Sequence, residues 1–196
     1  MKRICLFVLM ALALGFSNLY AAKINLGMSM IYFPIAKLNY THDSNTSMEL
    51  VDNIFWQPEI TYDLGYGFRG GAIASIYNKG FNFNSVTKMN VSILGMGATG
   101  NYGYKFTESG RTLLTLGAEL GYAKLKEKAY GVSSHRGSTW VAGYVGMRYI
   151  MLRRVSFELD YRLSRLEFHI PKSTEWKYKF SGNSLKLTLA YEFAFK

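Results

Sequence analysis

Cysteine, proline and long apolar runs are all scarce in this chain of 196 residues. The single cysteine, Cys5, lies close to the N-terminus, so a mature chain that has lost this segment forms no disulfide bond. Proline occurs only three times, which leaves few interruptions to β-ladder pairing. No stretch after the N-terminal segment offers about eighteen consecutive apolar residues, which excludes a membrane-spanning helix.

Histidine is also scarce, and the three residues are scattered at His42, His135 and His169. This arrangement lacks the ligand spacing of a metal site. Nothing in the sequence fixes a serine within hydrogen-bond reach of one of these bases, as nucleophilic catalysis requires. The sequence therefore predicts no catalytic residue, no metal ligand and no cofactor.

The first residues have the layout of a secretory signal peptide. Two basic residues precede an apolar run over Ile4–Phe16, and the small Ala21 follows after a polar pair. The run is too short to span a bilayer as a helix. We expect a signal peptide over residues 1–21 and one domain of ordinary size over residues 22–196.

Period-two alternation is clearest in the last segment, Ser184–Lys196. Leucine, tyrosine and phenylalanine occupy the odd positions from Leu185 to Phe195, whereas Lys186 and Glu192 belong to the other face. Such alternation indicates a β-strand, and about eleven residues suffice to cross a bilayer as a tilted strand.

Seven further segments repeat this pattern, and their connections alternate in length. The eight predicted strands are Lys23–Lys37, Asn53–Leu64, Gly67–Asn78, Met89–Phe106, Arg111–Lys124, Thr139–Met151, Val155–Phe168 and Ser184–Lys196. Short links at 65–66, 107–110 and 152–153 alternate with longer polar links at 38–52, 79–88, 125–138 and 169–182. The sequence predicts an all-β fold, an eight-stranded antiparallel up-and-down transmembrane β-barrel with its short turns and both termini in the periplasm.

The polar faces of these strands carry charges of both signs. The lumen of an eight-stranded barrel is only wide enough for side chains, so six acids and five bases would face one another there. We expect them to pair and to plug the lumen rather than to leave an open pore. The predicted lumen network comprises Glu59, Asp63, Arg69, Lys105, Glu119, Arg148, Glu158, Asp160, Arg162, Lys186 and Glu192.

The net charge of +10 would fall to +8 with the loss of Lys2 and Arg3. Much of this excess is assigned to outer loops, at Lys79, Lys88, Lys126, Lys128, Arg136, Lys172, Lys177 and Lys179, and to the adjoining rim, at Lys124. These residues form either an ordinary solvated surface or a site for an anionic surface ligand, such as lipid phosphates or glycosaminoglycans. Nucleic acid is not an expected partner of an exported chain.

Three segments carry a resemblance to a known family: Gly117–Tyr122, Gly143–Tyr149 and Phe157–Arg162. Together with the eight alternating segments, they resemble the small outer-membrane β-barrel superfamily, whose members include the outer-membrane protein A, X and W types. The resemblance implies insertion by the barrel-assembly machinery into the bacterial outer membrane as a monomer. Members of this superfamily usually end in an aromatic residue, whereas here Phe195 is followed by Lys196. Some barrels of this type are lipid A deacylases that carry a histidine followed two residues later by serine. His135 and His169 lack this pattern, which occurs here only as His42 and Ser44.

Three functional hypotheses follow. The first is a structural or adhesin-like surface barrel with a plugged polar lumen. The second is a narrow channel for small hydrophobic molecules, as in the W type, because Ile73, Tyr77, Trp140 and Tyr144 are predicted to point inward near the outer end. The third is a soluble lipocalin-like calyx, which also has eight strands but keeps its apolar face inside.

Overall fold

The computed structural model describes residues 23–34, 37–42, 44–49, 53–82, 88–129, 132–170 and 175–194. Every regular element in these ranges is a β-strand. The described residues form no helix that is long and apolar enough to cross a bilayer. The predicted signal peptide and the last two residues lie outside the described ranges.

Eight strands form a closed antiparallel barrel, which confirms the predicted fold class. Neighbours in sequence are neighbours in the wall, and the first strand pairs with the last to close it. The barrel strands are β1 (Lys23–Tyr32), β4 (Ile54–Gly65), β5 (Phe68–Asn82), β6 (Lys88–Lys105), β7 (Thr112–Ala129), β8 (Val132–Leu152), β9 (Val155–Arg165) and β12 (Gly182–Ala194).

Alternate residues of the wall point outward and form an apolar band. Along β7 the outward residues Leu114, Leu116, Leu120 and Tyr122 are all exposed, and Leu116 keeps 64% of its surface accessible. The other barrel strands expose leucine, valine, methionine, tyrosine and phenylalanine in the same way. An exposed apolar surface that encircles a barrel is suited to lipid and not to water.

The long connections contain strands that the sequence pattern does not predict. A second sheet, in the order β10-β11-β2-β3, is built from β2 (Lys37–His42), β3 (Ser44–Glu49), β10 (Glu167–Ile170) and β11 (Glu175–Lys179). The first predicted strand therefore ends at Tyr32 rather than Lys37, and the seventh ends at Arg165 rather than Phe168. β2 pairs with β3 and β10 pairs with β11, and the two pairs are joined by the pairing of β11 with the distant β2. Alternation within one segment gives no signal for that contact.

A hairpin also replaces the predicted loop 125–138. β7 and β8 continue to pair as far as Ala129 and Val132, and β5 and β6 pair as far as Asn82 and Lys88. Polar residues on both faces hide these extensions from a search for alternating hydrophobicity. The end of the barrel that carries these extensions is called the extended end below, and the other is called the turn end.

One short connection at the turn end joins β4 to β5 through three consecutive residues with positive φ. Gly65 has φ +83°, Tyr66 +53° and Gly67 +86°. The Asp63 carboxylate accepts a hydrogen bond of 2.9 Å from the Gly65 amide, and Gly67 accepts one of 2.8 Å from the Gly103 amide. Two of the three positions are glycine because side chains disfavour this backbone conformation.

Alanine substitutions separate conformational strain from close approach at this turn. A Cβ at Gly65 would have nothing within 4 Å, whereas a Cβ at Gly67 would lie 2.6 Å from the Gly103 carbonyl oxygen. We expect Gly65→Ala to lower the free energy of unfolding by about 1 kcal/mol through strain alone. Gly67→Ala should cost about 2 kcal/mol or more, because the backbone must also move. Urea unfolding of the barrel in lipid vesicles measures both, and equal losses would contradict this explanation.

Candidate functional site in the barrel interior

The middle of the lumen is built around Glu119 on β7, which is only 1% exposed. Its Oε2 accepts hydrogen bonds from Arg162 Nη2 at 2.9 Å and from Gln57 Nε2 at 3.3 Å. Its Oε1 accepts one from Lys186 Nζ at 3.0 Å. These donors come from β9, β4 and β12, so one carboxylate links four of the eight strands across the lumen.

Lys186 extends this cluster to the opposite wall. Its ammonium also donates to Glu59 Oε2 at 3.1 Å, and the same oxygen accepts a hydrogen bond of 3.2 Å from Ser29. Two acids, Glu59 and Glu119, therefore balance two bases, Lys186 and Arg162. Buried charges are tolerated where they are paired and hydrogen-bonded in this way.

A second pair lies nearer the turn end. Arg148 on β8 contacts Glu158 on β9 through both Nε and Nη2 at 2.6 Å, and it reaches Asn101 Oδ1 from Nη2 at 3.4 Å. Asp160 lies between the two pairs and accepts a hydrogen bond of 3.2 Å from Thr115. Arg148, Glu158 and Asp160 are all buried, so this part of the lumen is filled by polar side chains.

The remaining predicted network residues lie at the turn end, where the lumen widens. Asp63, Arg69, Lys105 and Glu192 line a cavity of about 620 Å³ that Lys23 and Arg148 also line. Lys23 Nζ contacts Glu192 Oε1 at 3.1 Å, but Lys105 is exposed. Six of the predicted network residues are therefore buried, and Glu59 is half-buried beside them. The other four, Asp63, Arg69, Lys105 and Glu192, line this open cavity, which is called the mouth of the lumen below.

The extended end of the interior is apolar, and sequence alternation indicates only part of it. Ile73, Tyr77 and Trp140 lie there and point inward, as predicted. Tyr144 also points inward and is buried, but it lies in the polar middle of the lumen, where its hydroxyl is 3.2 Å from both Thr99 Oγ1 and Asn101 Nδ2. Residues of the other predicted strands complete the apolar cluster, together with Leu125, Tyr178 and Phe180 from the predicted loops. The buried apolar cluster comprises Ile31, Phe33, Phe55, Ile73, Tyr77, Met89, Val91, Ile93, Ala123, Leu125, Trp140, Leu166, Phe168, Tyr178 and Phe180.

Four aromatic rings form the centre of this cluster. Phe180, which is fully buried, makes edge-on contacts with Phe55 at 5.2 Å, Tyr77 at 5.4 Å and Phe33 at 6.2 Å between ring centroids. Phe55 also stacks on Tyr77 at 4.8 Å. The Arg162 guanidinium lies 5.9 Å from the centroid of the Phe33 ring, so a cation–π contact joins the apolar cluster to the charged one.

Inward-facing glycines make room for the largest ring. A Cβ at Gly95 would lie 2.6 Å from Trp140 Cζ3, and one at Gly97 would lie 2.9 Å from Cζ2. The indole of Trp140 therefore lies against the wall. A Cβ at Gly121 of β7 would also overlap this ring. The sequence shows these glycines on the polar faces, but only the tertiary structure supplies the reason for them.

The space left between the charged and apolar clusters is small. A cavity of about 20 Å³ is lined by Phe33, Phe55, Trp140, Arg162 and Ser164, among others. This is roughly the volume that one water molecule needs. The described side chains thus constrict the lumen at the junction of the two clusters.

Two polar groups of the extended end, Tyr178 and Glu167, have shifted pKa values. Burial, together with the neighbouring Glu127 carboxylate, raises the pKa of Tyr178 well above its usual range. Partial burial would raise the pKa of Glu167, but the hydrogen bond and charge of Lys177 at 3.1 Å outweigh it and lower this pKa. Both groups therefore keep their ordinary charge states at neutral pH.

The residues assigned to basic outer loops lie mostly on strands. Lys79, Lys88, Lys126, Lys128, Arg136, Lys177 and Lys179 all fall within β5 to β11, and Lys172 lies outside the described ranges. The loop assignment is therefore wrong for these seven, because the strands continue beyond the apolar band. Lys126, Lys128, Arg136 and Lys179 are exposed.

The three histidines also lie at the extended end: His42 is on β2, His135 on β8 and His169 on β10. His135 and His169 are exposed on separate strands. Over the ranges that the structure covers, histidine, cysteine and acidic side chains form no group suited to holding a metal ion.

The sequence matches the family described as "Outer membrane protein beta-barrel domain" over residues 5–193. The chain belongs to this outer-membrane β-barrel family. Its location is accordingly the bacterial outer membrane, and the apolar band lies in the lipid bilayer. In such barrels short turns face the periplasm, so the turn end is periplasmic and the extended end faces outward.

Solved structures of other bacterial outer-membrane proteins share the fold at low identity. OprG from Pseudomonas aeruginosa aligns with TM-score 0.60 and 11% identity, over 88% of this chain and 96% of that chain. Neisserial surface protein A aligns with TM-score 0.55 and 15% identity, over 88% and 97%. A major outer membrane protein from Thermus thermophilus gives TM-score 0.56 and 9% identity, over 89% and 100%. No curated protein matches the sequence.

The family and the exposure of the wall residues correct one of the three functional hypotheses. A soluble calyx would carry its charged residues outside and its apolar residues inside. Here Glu158, Asp160 and Arg162 point inward, whereas Leu159, Tyr161 and Leu163 are exposed on the same strand. The outer-membrane barrel therefore replaces the calyx, and the choice between surface barrel and channel depends on the interior.

Proposed function

We propose that this barrel is a closed structural and surface-interaction protein of the outer membrane, without a transport or enzymatic role. The observation that supports this proposal is the packed interior. Glu119 and its partners fill the middle of the lumen, and the aromatic cluster around Phe180 fills the outer part. Between them lies a cavity of only about 20 Å³.

The outer part of the molecule supports the interaction role. The strands continue beyond the apolar band, and a second sheet joins them there. A buried aromatic cluster packs inside this projection, so the described strands present an ordered β-surface there. Surfaces that are positioned by a rigid scaffold are suited to recognising a partner. We further infer that the barrel is a monomer inserted by the barrel-assembly machinery.

A narrow channel for small hydrophobic molecules is the alternative function. The observation that favours it is the apolar lining of the outer interior, including Ile73, Tyr77 and Trp140. A hydrophobic solute would require this cluster to open, because its rings are in contact with one another. The two functions differ in whether the apolar cluster is a static core or a path.

Conductance and uptake measurements separate the two functions. We expect protein purified from outer membranes to give no current steps above bare lipid in planar bilayers. We also expect vesicles that contain it to take up a small alkane no faster than empty vesicles. A porin of sixteen or more strands, which has an aqueous channel, serves as the positive control.

Uptake of the alkane above the empty-vesicle rate would contradict the closed barrel and support the channel. Ion current without alkane uptake would show that the charged cluster does not plug the lumen. In either case, substituting Trp140 by alanine should increase the rate if the path runs through the apolar cluster.

A further inference from the structure

Three lysines form a row on the outward face of β7. Lys124, Lys126 and Lys128 alternate with the buried Ala123, Leu125 and Glu127, so their side chains all point away from the lumen. All three are exposed, and side chains two residues apart on a strand are separated by about 7 Å. The row continues the lipid-facing line that ends at Tyr122.

None of the described residues in register with the three lysines on the two flanking strands is acidic. Opposite the lysines, β6 presents Leu94, Ser92 and Asn90, and β8 presents Gly137, His135 and Ser133. None of the three lysines forms an ion pair with any residue that the structure describes, in contrast to Lys177, which contacts Glu167 at 3.1 Å. The row is thus a positively charged surface, and hydrogen-bonding side chains flank Lys126 and Lys128.

The depth of the row is set by Tyr122 and Gly137. Because Gly137 has no side chain, the Tyr122 ring packs closely against its backbone beside Lys124. Tyrosines at this position mark the boundary between hydrocarbon and polar headgroups. With strands tilted by about 40°, each further lysine lies roughly 5 Å farther from that boundary.

We propose that Lys124, Lys126 and Lys128 bind the phosphates of a phosphorylated glycolipid of the outer leaflet. Ammonium groups are good phosphate ligands through charge-assisted hydrogen bonds. The acyl chains of such a lipid can lie on Leu116, Leu120 and Tyr122 while its phosphates meet the lysines directly above. This identifies a partner for the surface-interaction role, on which the inference rests.

The position of the row favours a membrane lipid over a sulfated polysaccharide. A soluble polyanion approaches from outside and reaches Lys128 at the tip of the hairpin, but Lys124 lies at the edge of the apolar band. Through the register of β5, β6 and β7, the outward residue of β5 that corresponds to Lys126 is Asn78, which carries no charge. We therefore expect one preferred lipid on the side of β6 to β8, not a uniform shell.

The test compares the triple variant K124Q/K126Q/K128Q with wild type, using diphosphorylated lipid A as the probe. Native mass spectrometry of the delipidated protein in detergent, with added lipid A, gives the bound ratio and the affinity. We expect about one lipid A per wild-type barrel, and an affinity at least about tenfold lower for the triple variant. Monophosphorylated lipid A should bind wild type more weakly.

A matched control removes three charges from the other end of the barrel. Lys105, Arg153 and Arg154 are exposed near the periplasmic turns, so K105Q/R153Q/R154Q changes the net charge equally. It should retain lipid A affinity within about twofold. Heat-modifiable gel mobility checks that both variants are folded.

Equal losses in the two triple variants would reduce the effect to net charge and overturn the proposal. Unchanged lipid A binding by K124Q/K126Q/K128Q would also overturn it. If that variant loses retention on heparin but keeps lipid A, the row serves a polysaccharide instead. Lipid binding by a barrel that conducts would leave this inference standing and overturn only the closed-barrel function.

Discussion

Glu119→Gln is expected to lower the free energy of unfolding by about 3–5 kcal/mol, the usual cost of breaking a buried ion pair by removing one partner. The substitution removes the only carboxylate among the described residues that pairs with Arg162. It also removes one of two carboxylates that contact Lys186. Both cations would remain in the lumen with side chains less than 5% exposed. Urea unfolding in lipid vesicles measures the loss.

Glu192→Gln is the matched control for this prediction. Glu192 also pairs with a lysine, at 3.1 Å, but the side chains of Lys23 and Glu192 are 50% and 20% exposed at the periplasmic mouth. Exposed pairs contribute about 0–1 kcal/mol. A loss as large as that of Glu119→Gln would show that burial does not determine the cost.

A second substitution distinguishes pairing from shape. In the double variant Glu119→Gln with Arg162→Met, the unpaired guanidinium is gone, so part of the lost stability should return. The coupling energy from this double-mutant cycle should be at least about 1 kcal/mol. Additive losses would mean that the two residues stabilise the barrel independently.

Phe180→Ala is expected to lower the free energy of unfolding by about 3–5 kcal/mol. Phe180 is fully buried and contacts three other rings, so truncation leaves a cavity that the surrounding wall cannot fill without moving. The residue lies outside the apolar band, in the projecting part. The same unfolding measurement, followed by hydrogen exchange of β10 and β11, should show the greatest loss of protection there.

Tyr66→Ala controls for the loss of an aromatic ring without a cavity. Tyr66 is 97% exposed in the periplasmic turn, so its removal should change stability by no more than about 0.5 kcal/mol. If Phe180→Ala were equally mild, the outer aromatic cluster would not support the projecting strands. The interaction surface would then have no rigid scaffold beneath it.

The sequence by itself determined the barrel wall. Alternation in a segment such as Ser184–Lys196 places Leu185 and Leu189 outward and Lys186 inward, because a strand side chain has only two directions to choose from. Eight such segments with alternating link lengths imply the even, up-and-down barrel that the structure contains. The inward position of Trp140 and Tyr144 follows from the same rule.

The tertiary structure alone decided how the interior divides. Alternation identifies Glu119 and Lys105 as equally inward. Only the barrel geometry brings Glu119 within 3.0 Å of Lys186, which is 67 residues away in sequence. The same geometry leaves Lys105 exposed in the open cavity at the turn end. Phe180 lies within the predicted loop 169–182, and it is buried because strands from both ends of the chain meet around it. Partners this distant in sequence depend on strand order, tilt and register across the whole wall, and no single segment encodes these.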